Sequence, residues 1–282
     1  RTEAQFRRMI LDDFLSDFTK IQRETKAIVE RPNPPDVLVI ALTMERLLEY
    51  SSLVYESLPN LIPMVRRSEA EGCPVDPSLQ KLIGAFTTGE PEKRFRAVID
   101  YVDKVLDESP ELQEAKARND ALLWQARRRG VVPLVSAGNS ENQYAWNLRL
   151  RPDAVLNFIG DSPAAVLVGG SDANRSPERL DDDRLAAFSN LGVDRQTGRG
   201  IPDVLAPAIL VPIDAGFLDR PNERAFNNGT SLSAPYVAGV LLRMKQANPQ
   251  ATPDDLERML KASLVAPPDF PAQLRGKTGF LN

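Results

Sequence analysis

Residues 228–239 read Asn-Gly-Thr-Ser-Leu-Ser-Ala-Pro-Tyr-Val-Ala-Gly, so that one serine, Ser231, follows Gly229 and Thr230 at the start of a run of small and apolar residues. The pattern predicts a helix from about Ser231 to Lys245, and two chemistries are open to its first turn. Thr230 or Ser231 can cap the helix, as hydroxyl residues commonly do. Alternatively, the unpaired N–H groups of the helix start can stabilise negative charge developing beside a nucleophilic hydroxyl. A second candidate, Asn139, ends the run Val131-Val132-Pro133-Leu134-Val135-Ser136-Ala137-Gly138-Asn139, a short buried strand leading into a Gly-Asn turn. Its carboxamide can satisfy its own backbone in the turn or donate to an anionic oxygen.

What the chain lacks restricts the chemistry further. Among 282 residues there is no histidine and one cysteine, Cys73. No complete Ser/His/Asp triad and no zinc site can be assembled from these residues alone. No metal-ligand spacing and no cofactor motif stands out, and the acidic pairs Asp12-Asp13 and Asp181-Asp182-Asp183 read as solvated faces. The chain carries 35 basic against 39 acidic residues, net charge −4, which gives nucleic acid or an anionic membrane no electrostatic footing. No apolar run approaches the roughly 18 residues needed to span a bilayer.

The elements that must position these residues alternate. Phe6, Met9, Ile10, Phe14, Phe18, Ile21, Ile28 and Val29 recur at helical spacing, predicting one long amphipathic helix that ends before Pro32. Asp36–Leu42 is a continuous apolar run, the pattern of a strand buried on both faces of a parallel sheet. From Thr43 to about Pro110 the pattern is helical, broken at Pro59, Pro63, Gly72-Cys73-Pro74 and Gly89-Glu90-Pro91. A helix is expected over Glu111–Arg129, then strands at Val131–Ser136, Ala164–Val168 and near Val204–Leu210. A last helix is announced by Thr252-Pro253-Asp254-Asp255, with threonine as N-cap and proline behind it. Alternation of this kind argues for an α/β fold in which sites lie beyond the carboxyl ends of the strands.

The run around Ser231 resembles the serine signature of the subtilisin-like serine proteases, G-T-S-x-x-x-P-x-x-A-G. The resemblance continues in order along the chain. Ser136-Ala137-Gly138-Asn139 is similar to the family's oxyanion asparagine segment, and Ser162-Pro163 through Asp172 to the strand that follows it. Phe188-Ser189 and Asp203-Val204-Leu205-Ala206-Pro207 resemble the stretches leading to the serine, and Gly276-Lys277-Thr278-Gly279-Phe280-Leu281-Asn282 the closing segment. The resemblance covers about residues 1–42 and 111–282. It implies a subtilisin-like three-layer fold, a mostly parallel sheet with helices on both faces, with residues 45–108 as a helical insertion. It also implies Ser231 as nucleophile and Asn139 as oxyanion donor, with the Ser231 N–H as second donor. Ala41, Leu42, Thr43, Ser136, Ala137 and Gly138 would line a protein or peptide substrate.

The departures are informative. In the family's order the acid and base precede the serine, yet no Asp-[Ser/Thr]-Gly strand end and no His-Gly-Thr helix start is present. The first helix resembles the one that follows the histidine segment, so the expectation is a catalytic domain lacking its Asp/His half. Arg1, in place of methionine, fits processing. Ala41-Leu42-Thr43-Met44 stands where the family usually has Ser-Leu-Gly-Gly, and Tyr236 where many members have a non-catalytic histidine. The histidine-free sedolisin-like proteases use an aspartate at the oxyanion position, against which Asn139 argues. Two functions follow from the resemblance. One is a serine endopeptidase, active only with an N-terminal Asp/His-bearing fragment or chain; the other is a catalytically inactive subtilisin-like binding or regulatory protein.

Overall fold

A computed structural model describes residues 2–42, 48–139, 159–160, 162–172, 183–193, 199–214, 224–265 and 278–281. Internal contacts divide the chain into two compact units, one of residues 1–24 and 45–119 and one of residues 25–44 and 120–282.

The first unit is helical. It holds most of α1 (Thr2–Val29), then α2 (Leu48–Ala70), α3 (Pro77–Thr88), α4 (Pro91–Asp107) and the start of α5 (Pro110–Arg128). It is therefore wider than residues 45–108, because Phe6, Ile10, Phe14 and Phe18 of α1 are all buried and Phe6 stacks on Tyr101 of α4. Pro59 and Pro63, expected to break the helix, lie inside α2. They are four residues apart on its exposed side, while Val54, Leu58, Ile62 and Val65 form the buried stripe. Water can thus reach the carbonyls that proline leaves without a helix donor. The breaks at Gly72 and Gly89 fall between helices, as expected.

The second unit is built on a sheet whose strands are β1 (Val37–Ile40), β2 (Val132–Ser136), β3 (Val166–Asp172), β4 (Arg184–Leu185), β7 (Val204–Pro207), β10 (Leu264–Val265) and β11 (Phe280–Leu281). Their order is β1-β2-β3-β7-β11-β10, with β4 added at the end of β3. Pairing is parallel from β1 through β11; β10 and β4 are antiparallel additions. Both faces are buried, which is why these strands read as unbroken apolar runs. Val132, Leu134, Val166, Val168, Val204 and Ala206 pack with Ala234, Val237 and Leu241 of α6 (Thr230–Ala247) and with Leu256 and Leu260 of α7 (Pro253–Ala262). On the other face Val135, Leu167 and Leu205 are equally buried. The α7 start has the expected form, a capping box in which Thr252 and Asp255 exchange side-chain to backbone bonds.

The strand expected near Val204–Leu210 stops at Pro207. Beyond Pro207 the chain turns at Leu210, φ 51°, whose N–H is taken by Asn228 Oδ1 at 2.7 Å. It then enters a hairpin of β8 (Val211–Asp214) and β9 (Arg224–Asn227). The short strands β5 (Gly192–Val193) and β6 (Gly200–Ile201) form a second hairpin. Asp183, expected to be solvated, is buried, because β4 pairs with Ser171–Asp172 and draws the preceding residue into the covered end of the sheet. Asp12 is exposed and paired with Arg8; Asp181 and Asp182 lie outside the described residues.

At the amino ends of β3 and β7 sits a buried carboxylate. Asp203 is 1% exposed, accepts from the Leu167 N–H at 2.8 Å, and is paired with Arg199 and with Lys261 of α7 at 3.2 Å. Arg199 also donates to the carbonyls of Ser162 and Ala165. Burial pulls the Lys261 pKa down, but the charges of Asp203 and Glu257 and their hydrogen bonds outweigh it and hold the ammonium above its ordinary 10.5.

Asp203→Asn keeps an acceptor for Leu167, removes the carboxylate paired with Arg199 and leaves Lys261 with Glu257 alone. A loss of about 3 kcal/mol is expected in urea unfolding at neutral pH. Since a raised lysine pKa contributes stability that is present below 10.5 and lost as pH climbs through the raised value, the gap between wild type and variant should narrow above pH 10.5. An equal gap at both pH values would exclude Lys261 from the network.

Candidate active site

The carboxyl ends of β2, β3 and β7 converge on the first turn of α6, and hydrogen bonds account for its placement. Gly229 is the N-cap of α6 at φ 152°, a conformation that side chains disfavour. Its N–H donates to the Ala208 carbonyl at 2.9 Å, and the Ala208 N–H donates to the Ser171 carbonyl of β3 at 2.9 Å. One turn into the helix, Ser233 Oγ donates to the carbonyls of Ala206 and Pro207 at 3.0 and 3.1 Å. A Cβ at Gly170 would come within 2.6 Å of Ala208 Cβ, so glycine at the end of β3 permits this close approach.

Ser231 is the second residue of α6 and half-buried. Among the described residues neither its Oγ nor its N–H makes a hydrogen bond. A side chain at Gly229 would begin 3.1 Å from Ser231 Oγ and 3.7 Å from Asn139 Nδ2. The hydroxyl and the carboxamide therefore flank one bare backbone position, and glycine leaves the space between them open.

Asn139 is exposed, at the end of the turn that leaves β2. Its Oδ1 accepts from the Thr230 N–H at 2.9 Å and from Thr230 Oγ1 at 3.0 Å, which fixes the carboxamide with the oxygen toward the helix and Nδ2 as its donor end. Thr230 Oγ1 in turn accepts from the Gly138 N–H at 3.2 Å. Thr230 is completely buried. It caps the turn rather than the helix, whose N-cap is Gly229. A hydroxyl beside two N–H donors at a helix start is an arrangement that can hold a carbonyl oxygen while the hydroxyl attacks its carbon.

The residues expected to line a substrate divide into two groups. The β1–β2 register pairs Ile40 with Val135; continuing it brings Ala41 and Leu42 beside Ser136 and Ala137, and Ser136 Oγ donates to the Leu42 carbonyl at 3.4 Å. Leu42 is 58% exposed. Ser136, Ala137 and Gly138 are buried, and the backbone of the last two is engaged internally. The Ala137 N–H donates to the Val168 carbonyl at 2.8 Å, the Ala137 carbonyl accepts from Asn190 Nδ2 at 3.1 Å, and the Gly138 carbonyl accepts from the Asn190 N–H at 3.1 Å. Thr43 lies outside the described residues. Sequence reading missed Asn190 and the part played by Thr230. The Phe188-Ser189 match ends one residue short of Asn190, and Thr230 reads in the sequence as an ordinary helix cap. Among the described residues no group of three His, Cys, Asp or Glu could hold a metal ion, and no helix is long and apolar enough to cross a membrane.

The chain belongs to the subtilase family, peptidase S8, whose model matches residues 23–279. It is similar to the serine protease AprX of Bacillus subtilis (strain 168), 32% identical over 149 residues that make up 49% of this chain and 30% of AprX. Among solved structures, Sphericase aligns with 52% of this chain and 44% of its own at 18% identity and a TM-score of 0.40. A protease from Pseudoalteromonas arctica PAMC 21717 aligns with 59% of this chain and 44% of its own at 24% identity, TM-score 0.40. The chain thus spans less than half the length of each of these relatives.

Thr230→Val preserves shape but leaves the Gly138 N–H without its acceptor and Asn139 Oδ1 with one donor. A cost of about 2 kcal/mol is expected in urea unfolding, with Thr230→Ser close to wild type. Equal stability of Thr230→Val would remove Thr230 from the account of how the turn is held.

Proposed function

We propose that this chain supplies the nucleophile and the oxyanion donors of a serine endopeptidase, Ser231 and Asn139, while the triad aspartate and histidine come from a polypeptide segment outside these 282 residues. The observation that carries the reading is the placement of Ser231 Oγ and Asn139 Nδ2 around bare Gly229, within a chain of the subtilase family. The complementing segment is required because there is no histidine in the sequence and an unassisted serine hydroxyl is a weak nucleophile.

In the assembled site the histidine takes the Ser231 proton as Oγ attacks the scissile carbonyl carbon. The carbonyl oxygen becomes an oxyanion held by Asn139 Nδ2 and the Ser231 N–H. Collapse breaks the C–N bond, the imidazolium returns the proton to the leaving amine, and water, deprotonated by the same histidine, releases the acyl group from Ser231. Half-buried Ala41 and exposed Leu42, just beyond β1, flank the extended substrate, and Ser136, Ala137 and Gly138 support Asn139 from behind. A docked segment is supported by the outer edge of β1, which is unpaired among the described residues, since an open strand edge invites pairing.

The missing histidine also favours a second reading, a subtilisin-like binding or regulatory protein without catalysis. Purified native material run on a denaturing gel and measured by intact mass should contain a second, histidine-bearing polypeptide. Fluorophosphonate should then label Ser231 in that assembly and leave the 282 residues alone unlabelled. Asn139→Ala should lower turnover by about 10²–10³-fold, the range found when one oxyanion donor is removed from a subtilisin. Labelling of the isolated chain would contradict the need for an external base; an assembled yet unlabelled site would support the binding reading.

A further inference from the structure

We infer that Asn190 is a positioning residue for the oxyanion turn, an inference that rests on the reading of Asn139 as oxyanion donor. Asn190 is completely buried, and its two donors reach the two carbonyls immediately before Asn139. Nδ2 donates to Ala137 at 3.1 Å, and its own N–H donates to Gly138 at 3.1 Å. The residue before it, Ser189, is also buried and accepts the Gly170 N–H on Oγ at 2.9 Å. The pair Ser189-Asn190 thus braces the turn after β2 against the carboxyl end of β3, the same strand that sets Ala208 and, through it, Gly229. Thr230 holds Asn139 from the helix side and Asn190 holds it from the strand side. The turn passes through Gly138 at φ 109°, where small changes in the chain path swing the Asn139 side chain. A donor aimed at charge that exists only in the transition state is sensitive to such displacement, whereas substrate binding is not.

Asn190→Asp tests this, because it keeps the shape and turns an acceptor toward the Ala137 carbonyl. Asn190→Ser, which shortens the side chain without adding charge, serves if the aspartate variant does not fold. In the assembly with the histidine-bearing segment, kcat should fall about tenfold or more with KM nearly unchanged. In an Asn139→Ala background the same substitution should have little further effect on kcat. An unchanged kcat, or an equal drop in the two backgrounds, overturns the assignment and makes Asn190 a residue of the fold alone. If the wild-type assembly has no peptidase activity, the reading of the site fails and Asn190 is judged by spectra of asparagine-labelled protein. The Asn139 side-chain amide signals should move in the variant while those of Asn119 stay fixed; unmoved Asn139 signals overturn the proposal.

Discussion

One carboxamide oxygen, that of Asn139, takes two hydrogen bonds from Thr230 and joins the turn after β2 to the first turn of α6. The proposed chemistry depends on that junction. It leaves Nδ2 as the donor end of the carboxamide, it occupies the first helical N–H and not the next one, on Ser231, and it holds amide and hydroxyl within 4 Å of where a Cβ would stand at Gly229. The tie is short in space and long in sequence, spanning 91 residues. It is therefore made by the sheet and not by local preference.

The sheet makes it possible through two routes that begin on β3. From Ser171 the hydrogen bonds run through Ala208 to Gly229 and the helix start; from Gly170 they run through Ser189 and Asn190 to the turn before Asn139. Glycines at 169 and 170 are what let these neighbours close in. At the opposite end of the strands Asp203 joins β3, the segment before β7 and α7 in a buried charge network. The end of the sheet away from the proposed site is thus tied by charge as well as by the strand ladder.

Much of this was legible in the sequence because burial on both faces forces unbroken apolar runs. Asp36–Leu42 and Val131–Ser136 each contain a strand, Ala164–Val168 overlaps the first three residues of β3, which runs on through Gly169 and Gly170 to Asp172, and Thr252-Pro253 announced α7 through cap chemistry that acts within four residues. The site residues Ser231 and Asn139 were legible by resemblance and by their position at element ends. What escaped depends on distant partners or on which side of an element faces water. Pro59 and Pro63 are tolerated because they share the exposed side of α2, and Leu210 breaks a strand whose apolar pattern continues past it. Asp183 is covered by a two-residue strand too short to show as a pattern. Asn190 has no local signature at all, since both bonds it donates go to carbonyls more than fifty residues away.

The central claim is that Ser231 is a nucleophile whose reaction is completed by a base from outside the chain. Rapid quenching of the assembled protein after mixing with an activated ester substrate, followed by intact mass and peptide mapping, tests it most directly. The account predicts an acyl adduct on Ser231 that forms only with the histidine-bearing segment present and forms more slowly in Asn139→Ala. An adduct on another residue, or a segment that binds tightly while Ser231 stays unmodified, would contradict it.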